Sequence, residues 1–199
     1  MKIAFAILAY LAGSFPPGYL FFRASEKKDI RDFGSHATGA TNVLRLKGWK
    51  YALPVAFVDI LKGFLPAFLA LKIFGDPKLA VICASLAVLG HCFPIYIGFR
   101  GGKGVATAAG AMFSVALLPA LLSLAVFIGT VALTRFVSLG SILAVLAFPL
   151  FMLLLKMPAE IIVLSLPILL IILIRHAENI RRLIGGTEKK FGQKGKIER

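Results

Sequence analysis

Seven apolar runs separated by short polar stretches set the pattern of this chain, covering about 3–22, 51–71, 79–97, 105–118, 120–134, 137–155 and 160–174. A helix rising 1.5 Å per residue needs roughly 20 apolar residues to cross a hydrocarbon core of about 30 Å. The pattern therefore predicts an all-α, polytopic integral membrane protein with seven transmembrane helices in a single membrane domain, 1–199. Residues 105–134 are ambiguous by length, because one continuous helix there would extend about 45 Å. Charge placement decides between one span and two. Two spans meeting near Leu118-Pro119 put the 23–50 and 94–104 loops, the turn at Arg135 and the tail from Arg175 on one face, leaving Lys2, Lys72, Lys78 and Lys156 on the other. A single span would carry the eight Lys and Arg of that tail to the opposite face. Positive charge collects on the cytoplasmic side, so the N-terminus is expected outside and the C-terminus in the cytoplasm.

Composition agrees with this picture: 59% of residues are hydrophobic, 17 are Phe and 16% are charged. The net charge of +14 raises nucleic acid as a partner. However, the cations sit between and after apolar runs, as on the cytoplasmic face of a membrane protein, and no aromatic-interleaved soluble surface accompanies them. Cys83 and Cys92, nine residues apart in one run, would lie about 14 Å apart on a helix, beyond disulfide reach. Lys2 before an apolar run has the look of a signal peptide. The run continues through Phe15, Pro16, Pro17 and Tyr19 to Phe22 and meets basic sequence, which predicts a retained first span.

Four polar groups interrupt the apolar pattern. Gly101-Gly102-Lys103-Gly104-Val105-Ala106-Thr107 combines three glycines with one lysine ahead of a helix, so that backbone N–H groups, an ammonium and a helix N-terminus can all face an anion. It is not an ATPase phosphate loop, which needs glycine at Ile97 and a hydroxyl residue at Gly104. Phe33 to Arg45 is dense in glycine, hydroxyls and amide; from Ala37 it can coil into a short interfacial helix placing Thr38, Asn42 and Arg45 on one face. Asp59 and Lys62 lie three apart in the second span, where they can pair, and His91 near Pro94 fits a residue that caps or bridges helices better than a ligand contact. In the tail, His176, Asn179 and either Arg182 or Leu183 recur at helical spacing before Gly185-Gly186-Thr187-Glu188. Beyond Lys189 the chain becomes polar and is expected to fray. Within the first span, Gly13-Ser14-Phe15-Pro16-Pro17-Gly18 should break the helix, either toward the bundle interior or as a plain proline kink.

On the expected topology, both glycine-rich segments and the tail share the cytoplasmic face. They bring Ser35, Asn42, Arg45, Lys103, His176, Asn179 and Glu188 together with glycine amides, a set suited to a small doubly charged anion, while grooves between spans suit a lipid chain. There is no zincin motif, no four-spaced His/Asp acid–base pair and no Gly-x-Ser-x-Gly elbow. An enzyme acting on an already activated acyl donor can work by positioning and charge stabilisation alone. No metal or organic cofactor and no protein partner is required by the visible residues. A transporter of a phosphorylated or lipid anion is the alternative on these residues, and it needs access from both faces.

The set Gly13–Tyr19, Gly34-Ser35 to Arg45, Gly90-His91-Cys92-Phe93-Pro94 leading into Gly101–Thr107, and His176 to Glu188 resembles the bacterial acyl-phosphate:glycerol-3-phosphate acyltransferase family over nearly the whole chain. The resemblance implies a multi-pass protein of the bacterial cytoplasmic (inner) membrane that transfers a fatty acyl group from acyl phosphate to the 1-hydroxyl of sn-glycerol 3-phosphate, giving lysophosphatidate in phospholipid synthesis. It implies Ser35, Arg45, Lys103, His176, Asn179 and Glu188 as catalytic, and Asn42, Arg45, Gly101, Gly102, Lys103 and Gly104 as substrate-binding. Arg45 and Lys103 would balance the two phosphates, and Ser35 or a glycine N–H the oxyanion; either His176 or a phosphate would accept the proton. One departure stands out. Where the family reads Gly-Ser-Gly-Asn-Pro-Gly, this chain has Gly34-Ser35-His36-Ala37-Thr38-Gly39, so no amide is available at Ala37.

Overall fold

The computed structural model describes residues 1–193, and its regular structure among them is helical. Helices α1 (Lys2–Ser14) and α2 (Pro17–Glu26) form one apolar stretch broken at Phe15-Pro16; α3 (Ala40–Lys47) is short; α4 (Trp49–Phe74) and α5 (Pro77–Cys92) follow. After a 3-10 turn at Ile95–Ile97 come α6 (Val105–Val115), α7 (Leu117–Thr134), α8 (Val137–Leu154), α9 (Ala159–Arg175) and α10 (Ala177–Ile184). Among the described residues, five segments are long and apolar enough to cross a membrane: 2–26, 49–74, 77–97, 117–134 and 137–154. A sixth appears if α9 and α10, bent by 54° at His176, count as one.

The remaining apolar helix, α6, has 11 residues, or about 16 Å of length. Its shortness follows from the glycine-rich segment before it. The Gly101 and Gly102 amides donate to the carbonyls of Cys92 and His91 (3.2 Å each), so this segment runs back down beside the last turn of α5 before α6 begins. At Gly104, a Cβ would come within 2.9 Å of Cys92 Sγ and 3.1 Å of a Val88 methyl. The helix break that follows falls at Ala116 (φ −152°, ψ 93°), earlier than the Leu118-Pro119 position expected from sequence. Pro119 instead lies in the first turn of α7, where its missing N–H costs nothing.

Lipid supplies no hydrophobic drive for helices to associate, so close backbone contact and polar bridges must do it. A Cβ at Gly13 would sit 2.1 Å from the Ala87 carbonyl oxygen, and one at Gly90 2.3 Å from that of Tyr10, so α1 and α5 touch backbone to backbone. Between α4 and α6, Gly63 meets the Thr107 carbonyl (1.9 Å from its ideal Cβ) and Gly110 that of Ile60 (2.0 Å). The broken first span turns inward. Pro16 and Pro17 interrupt the ladder, and Lys62 of α4 donates to the Phe15 carbonyl (2.7 Å) while pairing with Asp59 (2.8 Å). The Asp59–Lys62 pair thus has a structural task, bridging α4 to the break.

Contacts sort to two ends. At one, Lys2 pairs with Asp76 (2.7 Å) and Lys78 with Glu160 (2.5 Å). At the other, Arg31 donates to the Ile97 carbonyl (2.8 Å), and the Phe191 amide to the Arg135 carbonyl (2.7 Å), with the Phe191 ring against Trp49. Lys190 to Gln193 are therefore pinned rather than frayed; the rest of the tail expected to fray, 194–199, lies outside the described residues. The interfacial helix begins at Ala40, so Thr38 precedes it, buried under α2, where a Cβ on Gly18 would come 2.0 Å from its carbonyl oxygen.

A leucine at position 110 must push α4 and α6 apart. Gly110→Leu is expected to cost about 3 kcal/mol, the upper part of the usual overpacking range. Thermal denaturation of the purified protein in detergent reads this, and an unchanged midpoint would contradict the packing described.

Candidate active site

One cavity of ≈ 330 Å³ is enclosed by α3, α4, α6, α7, α8 and the α9–α10 bend. Its polar end carries Ser35, Arg45, Lys103, His176, Asn179 and Glu188, so the six residues singled out as catalytic from sequence are brought together. Its apolar limb runs between α6, α7 and α8, past Met112, Phe113, Leu124, Phe127 and Val145.

Glu188 organises the polar end. Its carboxylate, 4% exposed, accepts from Asn179 Nδ2 (2.7 Å) and the Ser138 hydroxyl (2.8 Å) on one oxygen, and from Arg182 Nε (2.8 Å) on the other. Asn179 in turn accepts the Lys103 ammonium on Oδ1 at 2.6 Å. The helical spacing of Asn179 and Arg182 on α10 aims both at the returning Thr187-Glu188 segment, whose amides close on the Arg182 carbonyl (2.8 and 3.1 Å). Burial raises the affinity of Glu188 for a proton, but the bonds from Arg182, Ser138 and Asn179 outweigh it and hold the carboxyl below its usual range. Burial pushes Lys103 down to about 8, against the pull of Glu188 and with the push of Arg182 and Arg45. Burial likewise lowers Arg45, which a guanidinium tolerates without losing its charge. Among the described residues, no hydrogen bond or close ion pair engages the Arg45 guanidinium or the Ser35 hydroxyl.

His176 is buried at the bend, its Nδ1 2.8 Å from the Ile172 carbonyl. A carbonyl can only accept, so Nδ1 carries the proton and Nε2 is the nitrogen left to accept. Three of the expected substrate contacts have their polar groups engaged within the protein. The Gly101 and Gly102 amides are taken by α5 carbonyls, and neither residue lines the cavity, whereas Lys103 and Gly104 do. Asn42 borders the cavity, but its Oδ1 accepts from the Ser35 amide (2.9 Å) and its Nδ2 contacts the carbonyls of Ala37 (2.9 Å), Phe33 (3.0 Å) and Ile30 (3.3 Å). Its amide is spent on shaping the loop that presents Ser35.

Three participants escaped sequence reasoning. Arg175, marked in the sequence only as the start of the basic tail, grips the glycine segment through the Gly102 and Gly101 carbonyls (3.0 Å each) and lies over the Phe93 ring. Ser138 sits at an apolar helix start with nothing nearby in sequence to mark it. Arg182 was visible only as helical spacing. Among the described residues, no three His, Cys, Asp or Glu side chains gather as a metal site would need.

This arrangement defines a multi-pass membrane protein with a cluster of polar residues, Lys103 and Arg45 among them, at the head of an apolar cavity. Residues 3–186 match the family described as glycerol-3-phosphate acyltransferase, and the chain belongs to that family. The glycerol-3-phosphate acyltransferase of Aquifex aeolicus (strain VF5) is 42% identical over 193 residues, covering 96% of this chain and 100% of that one. That of Thermoanaerobacter sp. (strain X514) is 39% identical over 193 residues, 97% of each chain. Among solved structures, the glycerol 3-phosphate form of PlsY (YgiH), an integral membrane glycerol 3-phosphate acyltransferase, superposes with a TM-score of 0.92 at 42% identity, covering 96% of both chains. Its lysophosphatidic acid form gives 0.88 at 41% identity, again over 96% of both chains.

Because Lys103 titrates near 8, its ammonium is present below that pH and lost above it. Binding of a phosphate monoester, already a dianion through most of this range, is expected to weaken about tenfold between about pH 7 and pH 9, the worth of one charge-assisted contact. Calorimetric titration measures it, and Lys103→Arg should abolish the alkaline loss.

Proposed function

We propose that the protein transfers a fatty acyl group from acyl phosphate to the 1-hydroxyl of sn-glycerol 3-phosphate, forming lysophosphatidate and phosphate. The observation that carries this reading is the junction at the Lys103–Asn179–Glu188 chain, where cations for phosphate groups meet an apolar limb shaped for an acyl chain. Membership of an acyltransferase family leaves the transporter alternative with no supporting observation.

The acyl chain lies between α6, α7 and α8, with its phosphate at the polar end. Lys103 and Arg45 balance the phosphates of acceptor and donor, and each is a catalytic or binding cation by virtue of lining that end. The acceptor hydroxyl oxygen attacks the acyl carbonyl carbon. Negative charge then builds on the carbonyl oxygen, where the Ser35 hydroxyl and the free amides at the α6 N-terminus, beginning at Gly104, can donate. Collapse of the intermediate forms the ester and breaks the bond from carbonyl carbon to phosphate oxygen. The hydroxyl proton passes to the departing phosphate oxygen, so that the leaving group is released as hydrogen phosphate. His176 Nε2 is the rival acceptor. Asn179 and Glu188 act by aiming Lys103, and Asn42 by shaping the Ser35 loop.

The same reading places the polar end on the cytoplasmic face of the bacterial inner membrane. The Arg- and Lys-rich loops at 23–50 and 94–104 and the tail lie at that end. It also takes α6 as a short seventh crossing, completed by the glycine segment sunk beside α5, with the N-terminus outside.

Purified protein in detergent given acyl phosphate and glycerol 3-phosphate is expected to yield lysophosphatidate, and acyl-CoA is expected to yield none; equal product from acyl-CoA would sink the donor assignment. Lys103→Ala should lower kcat/KM for the acceptor by about 100-fold. His176→Ala separates the proton acceptors: turnover at pH 7 stays within several-fold for the phosphate route, against a loss of about 100-fold or more for a histidine base. Orientation is checked by cysteine labelling, with Leu118→Cys reacting from outside the cell and Gly192→Cys only from the cytoplasmic side.

A further inference from the structure

We infer that His91 is a positioning residue for the acceptor site: standing beside Asp59, it forms the bed of the glycine segment, its carbonyl under Gly101 and its ring under Gly102, and so sets the direction of Lys103. The ring is 6% exposed and Asp59 1%, and both border the cavity wall. His91 Nδ1 stands 3.3 Å from Asp59 Oδ1, the oxygen that also pairs with Lys62 at 2.8 Å. Lys62 continues to the Phe15 carbonyl at 2.7 Å. On the opposite edge of the ring, a Cβ on Gly102 would come 2.2 Å from Nε2, and a Cβ on Gly101 2.1 Å from the His91 carbonyl oxygen. The glycines are therefore needed for the segment to lie on this residue. A file of neighbouring buried polar groups thus runs from the break in the first span through α4 and α5 to the residue before Lys103.

The segment is clamped from its other side by Arg175, which takes the Gly101 and Gly102 carbonyls, while the amides of the same two glycines go to Cys92 and His91. Both peptide edges are fixed, so Lys103 leaves the segment in one direction, toward Asn179. One feature separates this task from proton transfer: the Nδ1 edge faces Asp59 and the Nε2 edge faces Gly102, so the ring edges are turned to the protein. The buried anion of Asp59 is balanced by Lys62, so the ring is not required to carry charge.

This inference rests on the reading that Lys103 holds the acceptor phosphate. Wild-type protein that made no lysophosphatidate from glycerol 3-phosphate would remove that reading; the inference itself is tested by variants of an active protein. With full-length protein in detergent, His91→Ala is expected to raise KM for glycerol 3-phosphate about tenfold or more while kcat and the donor KM stay within about threefold, the signature of a displaced binding group. His91→Gln, whose side-chain amide can stand near the Nε2 edge of the ring, should recover most of the acceptor affinity. Gly102→Ala should reproduce the same split, because its methyl displaces the segment from the ring, and His91→Ala added to it should cost little more. A loss confined to kcat, a parallel rise in both KM values, or additive costs in the double variant would each overturn the assignment. If His91→Ala does not fold, the Gly102→Ala and His91→Gln measurements decide.

Discussion

Lys103 is held by an amide and not by a carboxylate, and much of the candidate site depends on that choice. An ammonium buried directly against Glu188 would be neutralised by it. Asn179 stands between them, accepting from the lysine and donating to the acid. The carboxylate fixes the amide's orientation, the amide fixes the ammonium, and the positive charge remains available to an anion in the cavity. Glu188 is meanwhile satisfied by Arg182 and Ser138, so a single buried acid orders α8, α10 and the tail at once. The arrangement tolerates a lysine titrating near 8 because an incoming phosphate would itself favour the charged form.

Packing makes this local order possible. The polar groups hang on helices that approach to backbone distance at Gly13, Gly63, Gly90 and Gly110. Each such contact removes side-chain bulk and brings two rigid rods into van der Waals register, which fixes the relative height of α4, α5 and α6. Lys62 adds a polar tie at the break in the first span, where it donates to the Phe15 carbonyl. One of the backbone groups freed by breaking the first span inside the bundle thus finds its partner on a neighbouring helix.

The helical, multi-pass character was readable from the apolar runs, and the family from four glycine- and histidine-bearing segments together. Ser35, Lys103, Asn179 and Glu188 could be picked out because polar residues in an apolar chain are costly unless used. What stayed hidden were directions. A glycine that lets backbone approach an anion and a glycine that lets it approach a histidine ring look alike in sequence, so Gly101 and Gly102 were assigned to the substrate when they face α5. Asn42 could be placed near the site but not seen to spend its amide on Ala37, Phe33 and Ile30. This also gives physical content to the missing asparagine at Ala37: the loop's stiffening amide comes from α3. Ser138 and Arg175 were invisible because a serine in a helix and an arginine at a helix end are ordinary until the fold supplies their partners.

The cavity has a polar end beside the glycine segment and an apolar limb opening from it between helices. Occupants of the two ends are therefore counted in different concentration scales. A chain in the apolar limb arrives by lateral diffusion, and its supply is a mole fraction of the surrounding lipid or detergent. A phosphate ester at the polar end arrives from water, and its supply is a molarity. Adding detergent at fixed protein dilutes the first without touching the second, so saturation by one substrate shifts with micelle content while saturation by the other does not.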